Sequence, residues 1–421
     1  MIKFIHAADI HLDSPLIRLS YHEGAPVDEL RQATRQALNN LVALAITEKV
    51  NFVLISGDLY DGDWKDYNTG LYFVSQMSKL REAHIPVYII SGNHDAASKI
   101  TRTIRFPEGT HVFPKNEPST LIVKNLDVAI HGQSFASPAV TQNLSLNYPA
   151  PIPGNFNIGM LHTCATGREG HEPYAPCTVE DLQLKGYDYW ALGHVHQREI
   201  LSHDPLIVFP GNTQGRNIRE TGAKGCMLVT VDEKGRPSAD FKSLDVIRWI
   251  RVPVDASGAG SGNGVVDLVS ENMERILGEN SGMPLIARVE IAGSSPAHTD
   301  LAAYRERWIN DIKSVAVDIS GDRIWIEKVK FRTTSPKDIE TGAHAEGPIG
   351  ELWRYLDKLR SDPEQLIEIG ETLKEITRKL PREVMEDRKV ISPEDPQWLA
   401  EQLDQVGAML VRRLMRKEDL S

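Results

Sequence analysis

Short apolar runs and stretches with helical spacing alternate along the first part of the chain. Residues 3–7, 52–55 and 87–90 are apolar runs short enough for buried strands. Between them, Leu30, Leu38, Leu41, Leu44 and Ala45 recur at helical spacing over residues 28–49, and a second helix is expected over 68–82. The second and third runs end in Ser-Gly-Asp and Ser-Gly-Asn. Strand–helix alternation of this kind predicts α/β layers. From about residue 111 short strands follow one another, at 121–123, 128–131, 158–161, 189–191, 207–209 and 226–231. They predict a second, more antiparallel sheet facing the first, in a β-sandwich flanked by helices.

A boundary falls near residues 244–246. Strands at 251–254, 285–290 and 324–331, a Gly/Ser-rich loop at 256–264 and intervening helices predict a small α+β domain. A polar linker over 333–347 leads to a helical tail, in which Asp362 and Pro363 form an N-cap and first-turn pair. Leu366, Ile369, Leu373, Ile376 and Leu380 then repeat at steps of three and four, as do Leu399, Leu403, Val406, Leu410 and Leu414. Stripes this narrow are heptad-like; they either pack on their own domain or dock another chain's helices. The expected domains are 1–245, 246–335 and 336–421.

Composition narrows the class. A chain of 421 residues is too long for one ordinary core. With 41% hydrophobic and 25% charged residues it fits neither a disordered nor a fibrous protein. No apolar run approaches the length of a membrane span, and the N-terminal stretch lacks signal-peptide character. Three cysteines (Cys164, Cys177 and Cys226) without metal-type spacing fit a reduced, cytoplasmic setting. A net charge of −11 argues against a basic coat for nucleic acid. It does not exclude a nucleic-acid substrate, because bound divalent cations dominate the field in their own site.

Five clusters carry the candidate chemistry: Asp9-Ile10-His11, Gly57-Asp58-Leu59-Tyr60-Asp61, Gly92-Asn93-His94-Asp95, His162, and Gly193-His194-Val195-His196. The first three follow apolar runs, on loops at the carboxyl ends of strands, where α/β sheets form their sites. Carboxylate, imidazole and amide oxygen without thiolate suit Mn, Fe or Zn. An Asp-x-His or His-x-His pair on extended chain points both side chains to one face. The glycines before Asp58, Asn93 and His194 let the backbone turn sharply. One ion would take Asp9, His11, Asp58 and His196; the other would take Asp58, Asn93, His162 and His194. Asp58 would bridge them. Two ions ~3.5–4 Å apart clamp an in-line displacement at phosphorus, with an activated water as nucleophile. His94 is expected to be the general acid at the leaving oxygen. Asp61 and Asp95 are candidates to orient imidazoles, with a solvated loop carboxylate as the alternative for Asp61. Lone histidines such as His6 and His131 are expected to be packed or hydrogen-bonded, and Cys164 to lie in the core.

Together these motifs resemble the calcineurin-like metallophosphoesterase superfamily. The run Ile5-His6-Ala7-Ala8-Asp9-Ile10-His11-Leu12 and the long tail are similar to the SbcD-type branch of DNA-repair exonucleases. Within it, Leu161-His162-Thr163, the stretch from Arg168 to Tyr174, and Pro210-Gly211-Asn212-Thr213-Gln214-Gly215-Arg216 resemble bacterial YhaO-type members most. The resemblance implies a four-layer α/β/β/α sandwich, a small α+β capping domain that helps seat DNA, and a homodimeric nuclease core. It also implies two divalent ions, Mn(2+) foremost, and a coiled-coil ATPase partner of the SbcC type bound through the C-terminal helices. The eukaryotic branch carries His at the position of Asp61.

Three functions follow. A manganese-dependent DNA nuclease in repair draws on the family and on a basic loop, Arg216, Arg219 and Lys224, whose cations are expected to meet backbone phosphates; a solvated loop is the bland alternative. A small-molecule phosphodiesterase or phosphatase would need only the first domain. A non-catalytic scaffold for a partner ATPase would need no metal.

Overall fold

A computed structural model of the chain describes residues 1–14, 27–61, 67–97, 105–123, 125–165, 174–336, 347–377, 395–396, 398–400 and 402–403. Every apolar run named above is a strand in it. In chain order the first twelve strands are β1 (Ile2–Ala7), β2 (Phe52–Ser56), β3 (Val87–Ile90), β4 (Thr110–Val112), β5 (Ser119–Val123), β6 (Val128–Gly132), β7 (Phe156–His162), β8 (Tyr189–Gly193), β9 (Glu199–His203), β10 (Leu206–Phe209), β11 (Gly225–Val231) and β12 (Pro237–Ser243). They form two six-stranded sheets, β12-β11-β1-β2-β3-β4 and β5-β6-β7-β8-β10-β9.

Strand β1 shows how the layers arise. Its side chains alternate between faces. Phe4 joins Phe52, Leu54, Ile130, Ile158, Met160 and Tyr189 in the core between the sheets. Ile5 instead joins the outer core with helices α1 (Val27–Thr47) and α2 (Tyr67–Glu82), through Leu38, Leu41, Phe73 and Met77. Each such buried side chain is worth about 1.5–3 kcal/mol of transfer free energy. On the far face of the second sheet, Trp190 packs with Tyr148, Leu182 and Ile207. Among the described residues the helices beside this core are all short: a 3-10 turn at Leu144–Asn147, α4 (Val179–Gln183) and the helix that carries Ala96. The order is α/β/β/α with a thin fourth layer. The helix with Ala96, α3 (Asn93–Ala97), follows β3.

Two expectations are corrected. The second sheet is not mainly antiparallel: β6, β7, β8 and β10 all run parallel, and only the edges β5 and β9 are antiparallel. The reason lies in the connections. Residues 133–155 and 163–188 are long crossovers, each returning the chain to start its next strand in the same direction. Strand β11 belongs to the first sheet, antiparallel to β1.

Beyond residue 244 come β13 (Arg248–Asp255), α5 (Gly262–Glu279), β14 (Leu285–Ser294), α6 (His298–Ala303), α7 (Arg305–Ser320) and β15 (Ile324–Thr334), with a three-stranded sheet in the order β13-β14-β15. The chain divides into two compact units. One holds Met1–Val252, Ser270–Val289 and Ile312–Val329; the other holds Pro253–Val269, Glu290–Asp311 and Lys330–Ser421. Within the first, Trp249 packs with Ala33, Ile218, Ile247 and Ile286. In the second, the tail holds α8 (Pro348–Arg360) and α9 (Pro363–Thr377), with helical residues again at 396, 398–400 and 402–403. Asp362 caps α9, its Oδ1 accepting from the N–H groups of Glu364 and Gln365 at 3.1 and 3.2 Å. Leu366 and Leu399 are buried, whereas Ile369 is exposed. Leu380, Val406, Leu410 and Leu414 lie outside the described residues. No helix among the described residues is long and apolar enough to cross a membrane.

Candidate metal centre

The site is built at the carboxyl ends of β1, β2 and β3 from one sheet and β7 and β8 from the other, all within the first unit. Past their strands the first two loops stay zipped together. Asp9 N donates to Gly57 O (3.0 Å), His11 N to Asp58 O (3.0 Å) and Leu12 N to Leu59 O (2.9 Å). The loop after β8 joins them, for His194 N donates to both Asp9 carboxylate oxygens at 3.1 and 3.0 Å.

This convergence is bought with backbone strain. Asp9, His11, Asp58 and His194 all have positive φ, at 52°, 44°, 50° and 100°. Asp and His tolerate that region better than most residues, but each still costs about 1–3 kcal/mol and persists only where its surroundings hold it. The glycines have a further reason beyond turning. Gly57 does turn at positive φ (94°), whereas at Gly92 a Cβ would sit 2.3 Å from Asp58 Oδ1 and 2.7 Å from His162 Cε1. Gly92 is needed because the Asp58 and His162 side chains fill the space.

Asp9, His11, Asp58, Asn93, His162, His194 and His196 come together. Asp9, His11 and His196 offer one ligand atom each within 4.8 Å of one another, and so do Asp58, His162 and His194. An overlapping group is His11, Asp58 and His94. Asp58 lies between the halves: its Oδ2 is 3.9 Å from His11 Nε2 and 3.4 Å from His162 Nε2. His162 Nε2 is also 2.9 Å from Asn93 Oδ1.

The hydrogen-bond pattern fits cations here. Ser56 O can only accept, so His162 Nδ1, 3.0 Å away, carries the ring proton. Its Nε2 then faces acceptors, Asn93 Oδ1 and Asp58 Oδ2. Glu220 Oε1 likewise fixes the proton on His196 Nδ1 at 2.9 Å, and His11 Nδ1 faces Asp61 Oδ1 at 3.5 Å. The Nε2 atoms of His11 and His196 are left pointing at each other, 3.1 Å apart. A cation between the Nε2 atoms of His11 and His196 would satisfy both; without one, a ring proton has to sit there. Burial lowers the pKa of His11 to about 3, so it stays neutral and able to ligate. Burial acts to raise Asp58, yet the surrounding His162 and His11 outweigh it and hold the carboxyl well below the usual range.

Asp61 is more than a solvated loop carboxylate. Its Oδ1 accepts from His94 Nδ1 at 2.9 Å, and its Oδ2 from the Ser14 hydroxyl and from Arg216 Nη1 at 3.3 Å. His94 is 39% exposed at its side chain, the most open imidazole of the site. Burial lowers its pKa, but Asp61 and Asp58 raise it further, for a net rise. Asp95 does a different job from the one expected. Its carboxylate accepts from the N–H groups of Leu59 (3.2 Å), Tyr60 (2.9 Å) and Gly92 (3.0 Å). It staples the second metal loop to the third.

Of the basic loop, Arg219 is exposed, whereas Lys224 is buried and donates to His196 O at 2.8 Å. Arg216 lies between Asp61 and Glu220. Glu220 was not singled out by sequence. It accepts from His196 Nδ1, Asn212 Nδ2 (2.8 Å) and the Arg216 N–H (2.8 Å). The one available signal was an acid set among Arg216, Arg219 and Lys224. His6 and His131 are packed and hydrogen-bonded, to Tyr189 and Leu192 and to Thr120 and Asn157 respectively, and Cys164 is core. Residues 168–173 lie outside the described residues; Tyr174 sits edge-on to His194 at 5.6 Å between ring centroids.

Residues 2–198 match the calcineurin-like phosphoesterase family, and residues 249–334 match the middle domain of the metallophosphoesterase YhaO. The chain is 35% identical to the metallophosphoesterase YhaO of Bacillus subtilis over 299 residues, covering 70% of this chain and 72% of that one. It is 23% identical over 376 residues to the DNA double-strand break repair protein Mre11 of Methanopyrus kandleri, covering 83% and 74%. To the protein of the same name from Sulfolobus acidocaldarius it is 23% identical over 354 residues, covering 79% and 87%.

Proposed function

The chain belongs to the calcineurin-like metallophosphoesterase family, and on that premise we propose that it is a manganese-dependent DNA nuclease that hydrolyses phosphodiesters in DNA repair. Asp9, His11, Asp58 and His196 would hold one cation, and Asp58, Asn93, His162 and His194 would hold the other. The bound cations supply Lewis acidity at the phosphoryl group and lower the pKa of a water. The chain's own residues do the rest. Asp58 fixes the two halves of the site relative to each other. Glu220 and Ser56 hold His196 and His162 in the tautomers that leave Nε2 free to ligate. His94, tied through Nδ1 to Asp61, delivers a proton from Nε2 to the leaving oxygen.

The observation that carries the phosphoesterase reading is the position of Asp58, whose Oδ2 lies 3.9 Å from His11 Nε2 and 3.4 Å from His162 Nε2. The DNA substrate is supported by the distant likeness to two proteins named for DNA double-strand break repair and by the exposed Arg219. Manganese is supported by a donor set of carboxylate, imidazole and amide oxygen. The same reading divides the chain at 1–245, 246–335 and 336–421, makes the nuclease core a homodimer, and gives the tail helices to an SbcC-type coiled-coil ATPase. Exposed Ile367 and Ile369 on α9 support that docking role.

The test is cleavage of labelled single- and double-stranded DNA with Mn(2+), beside bis(p-nitrophenyl) phosphate and beside His94→Ala. Cleavage of DNA that falls about 100-fold in the variant is expected. Hydrolysis of the small diester without cleavage of any DNA would make the chain a small-molecule phosphodiesterase. No metal uptake would make it a scaffold.

A further inference from the structure

We infer that Arg216 is a positioning residue that fastens the proton donor and a metal-facing imidazole into one unit, a role different from the phosphate contact expected of it. The inference rests on the two-metal reading above. One nitrogen of the guanidinium, Nη1, donates to Asp61 Oδ2 at 3.3 Å, and the other, Nη2, to Glu220 Oε1 at 3.3 Å. Each of those carboxylates holds one histidine. Asp61 Oδ1 takes the Nδ1 proton of His94 (2.9 Å), and Glu220 Oε1 takes that of His196 (2.9 Å). The chain of contacts is therefore His94, Asp61, Arg216, Glu220, His196, unbroken from the residue that gives the proton to the residue that faces the metal.

Three features make this a built arrangement and not a loose surface pair. The Arg216 side chain is 15% exposed and Glu220 8%, so water screens the pairs weakly. Glu220 is held from four directions, by His196, by the Arg216 guanidinium and backbone N–H, and by Asn212 Nδ2. The Ser14 hydroxyl bonds to Asp61 and also accepts from Arg216 Nη1 at 3.4 Å, which fixes the near end of the fork. A planar guanidinium meets two carboxylates at once with separate nitrogens. An ammonium is a point charge that would have to choose between them. The site thus needs an arginine here, where a contact to a substrate phosphate would accept lysine.

Arg216→Lys separates the two roles, with Glu220→Gln as a second variant that leaves Arg216 in place. Metal-free wild type and both variants are titrated with Mn(2+) by calorimetry, and kcat and KM are measured on bis(p-nitrophenyl) phosphate. Thermal melting of each protein checks its fold. Arg216→Lys is expected to weaken one of the two manganese sites about 10-fold or more, the scale for losing a group that orients a ligand. It is expected to lower kcat about 10-fold with KM almost unchanged. Glu220→Gln is expected to give the same metal defect, and the double variant to be no worse than the sum's larger part, because both break one network. A Lys variant with wild-type manganese affinity and kcat overturns the inference, as does one in which KM alone rises. If Arg216→Lys does not fold, wild-type manganese binding in Glu220→Gln overturns it equally. Wild type that takes up no manganese defeats the two-metal reading itself and this inference with it.

Discussion

His94 Nδ1 lies 2.9 Å from Asp61 Oδ1, so the ring that faces the open side of the site is anchored by a carboxylate behind it. Asp61 raises the pKa of His94 against the lowering effect of burial. A general acid works only while protonated, so activity falls as pH rises through the His94 pKa. Asp61→Asn removes the raising charge. The alkaline limb of the kcat profile is expected to move to lower pH, with kcat at neutral pH down about 10-fold or more. An unmoved limb in the variant would show that His94 is not the titrating acid.

Metal binding carries its own pH dependence. In the metal-free site burial acts to lower His162, but Asp58 and Asp9 outweigh it and push the imidazole up to about 9. Below that pH a cation must displace the proton to reach Nε2. Manganese affinity is expected to rise with pH and level off above about 9, with about one proton released per chain near neutrality. Calorimetry in buffers of different ionisation enthalpy measures the release; identical heats in all buffers would contradict it.

Asp95 holds the backbone N–H groups of three buried residues, Leu59, Tyr60 and Gly92. Asp95→Ala leaves them unpaired, at about 1–3 kcal/mol for each buried polar group. Chemical denaturation should show a loss of about 3 kcal/mol or more, and manganese binding should weaken as the loops carrying Asp58 and Asn93 separate. A variant as stable as wild type would mean the staple is redundant.

Gly92→Ala tests the tightness of the same place. A methyl group there would meet Asp58 Oδ1 at 2.3 Å and His162 Cε1 at 2.7 Å. Neither neighbour can retreat without leaving the proposed metal position. The variant is expected to lose about 1–3 kcal/mol of stability, the usual cost of overpacking, and most of its activity. Activity within two-fold of wild type, by the same assay, would show that the site relaxes around the methyl.

What was legible beforehand follows from chemistry. Asp9, His11, Asp58, Asn93, His162, His194 and His196 stand out because ligation restricts residue type and because each cluster sits at a strand end. Glu220 did not stand out, since its partner His196 is 24 positions away and its own surroundings, Ile-Arg-Glu-Thr-Gly, have no spacing that marks a site. Asp95 looked like an imidazole partner because it follows His94; its true partners are backbone groups, which no sequence pattern announces. Strands β4, β9 and β12 were missed; all three are sheet edges, where half-exposed positions blur the apolar pattern, and of the fourth edge, β5, only the apolar end 121–123 was read. The parallel run of the second sheet was missed because strand direction is set by the route of the crossovers, not by the strands' own residues.

A pair of cations sharing Asp58 can be seen outright by anomalous diffraction at the manganese edge from crystals soaked in Mn(2+). Two peaks per chain are predicted, one among Asp9, His11 and His196 and one among Asn93, His162 and His194, with Asp58 between them. A single peak, or peaks away from these side chains, would contradict it.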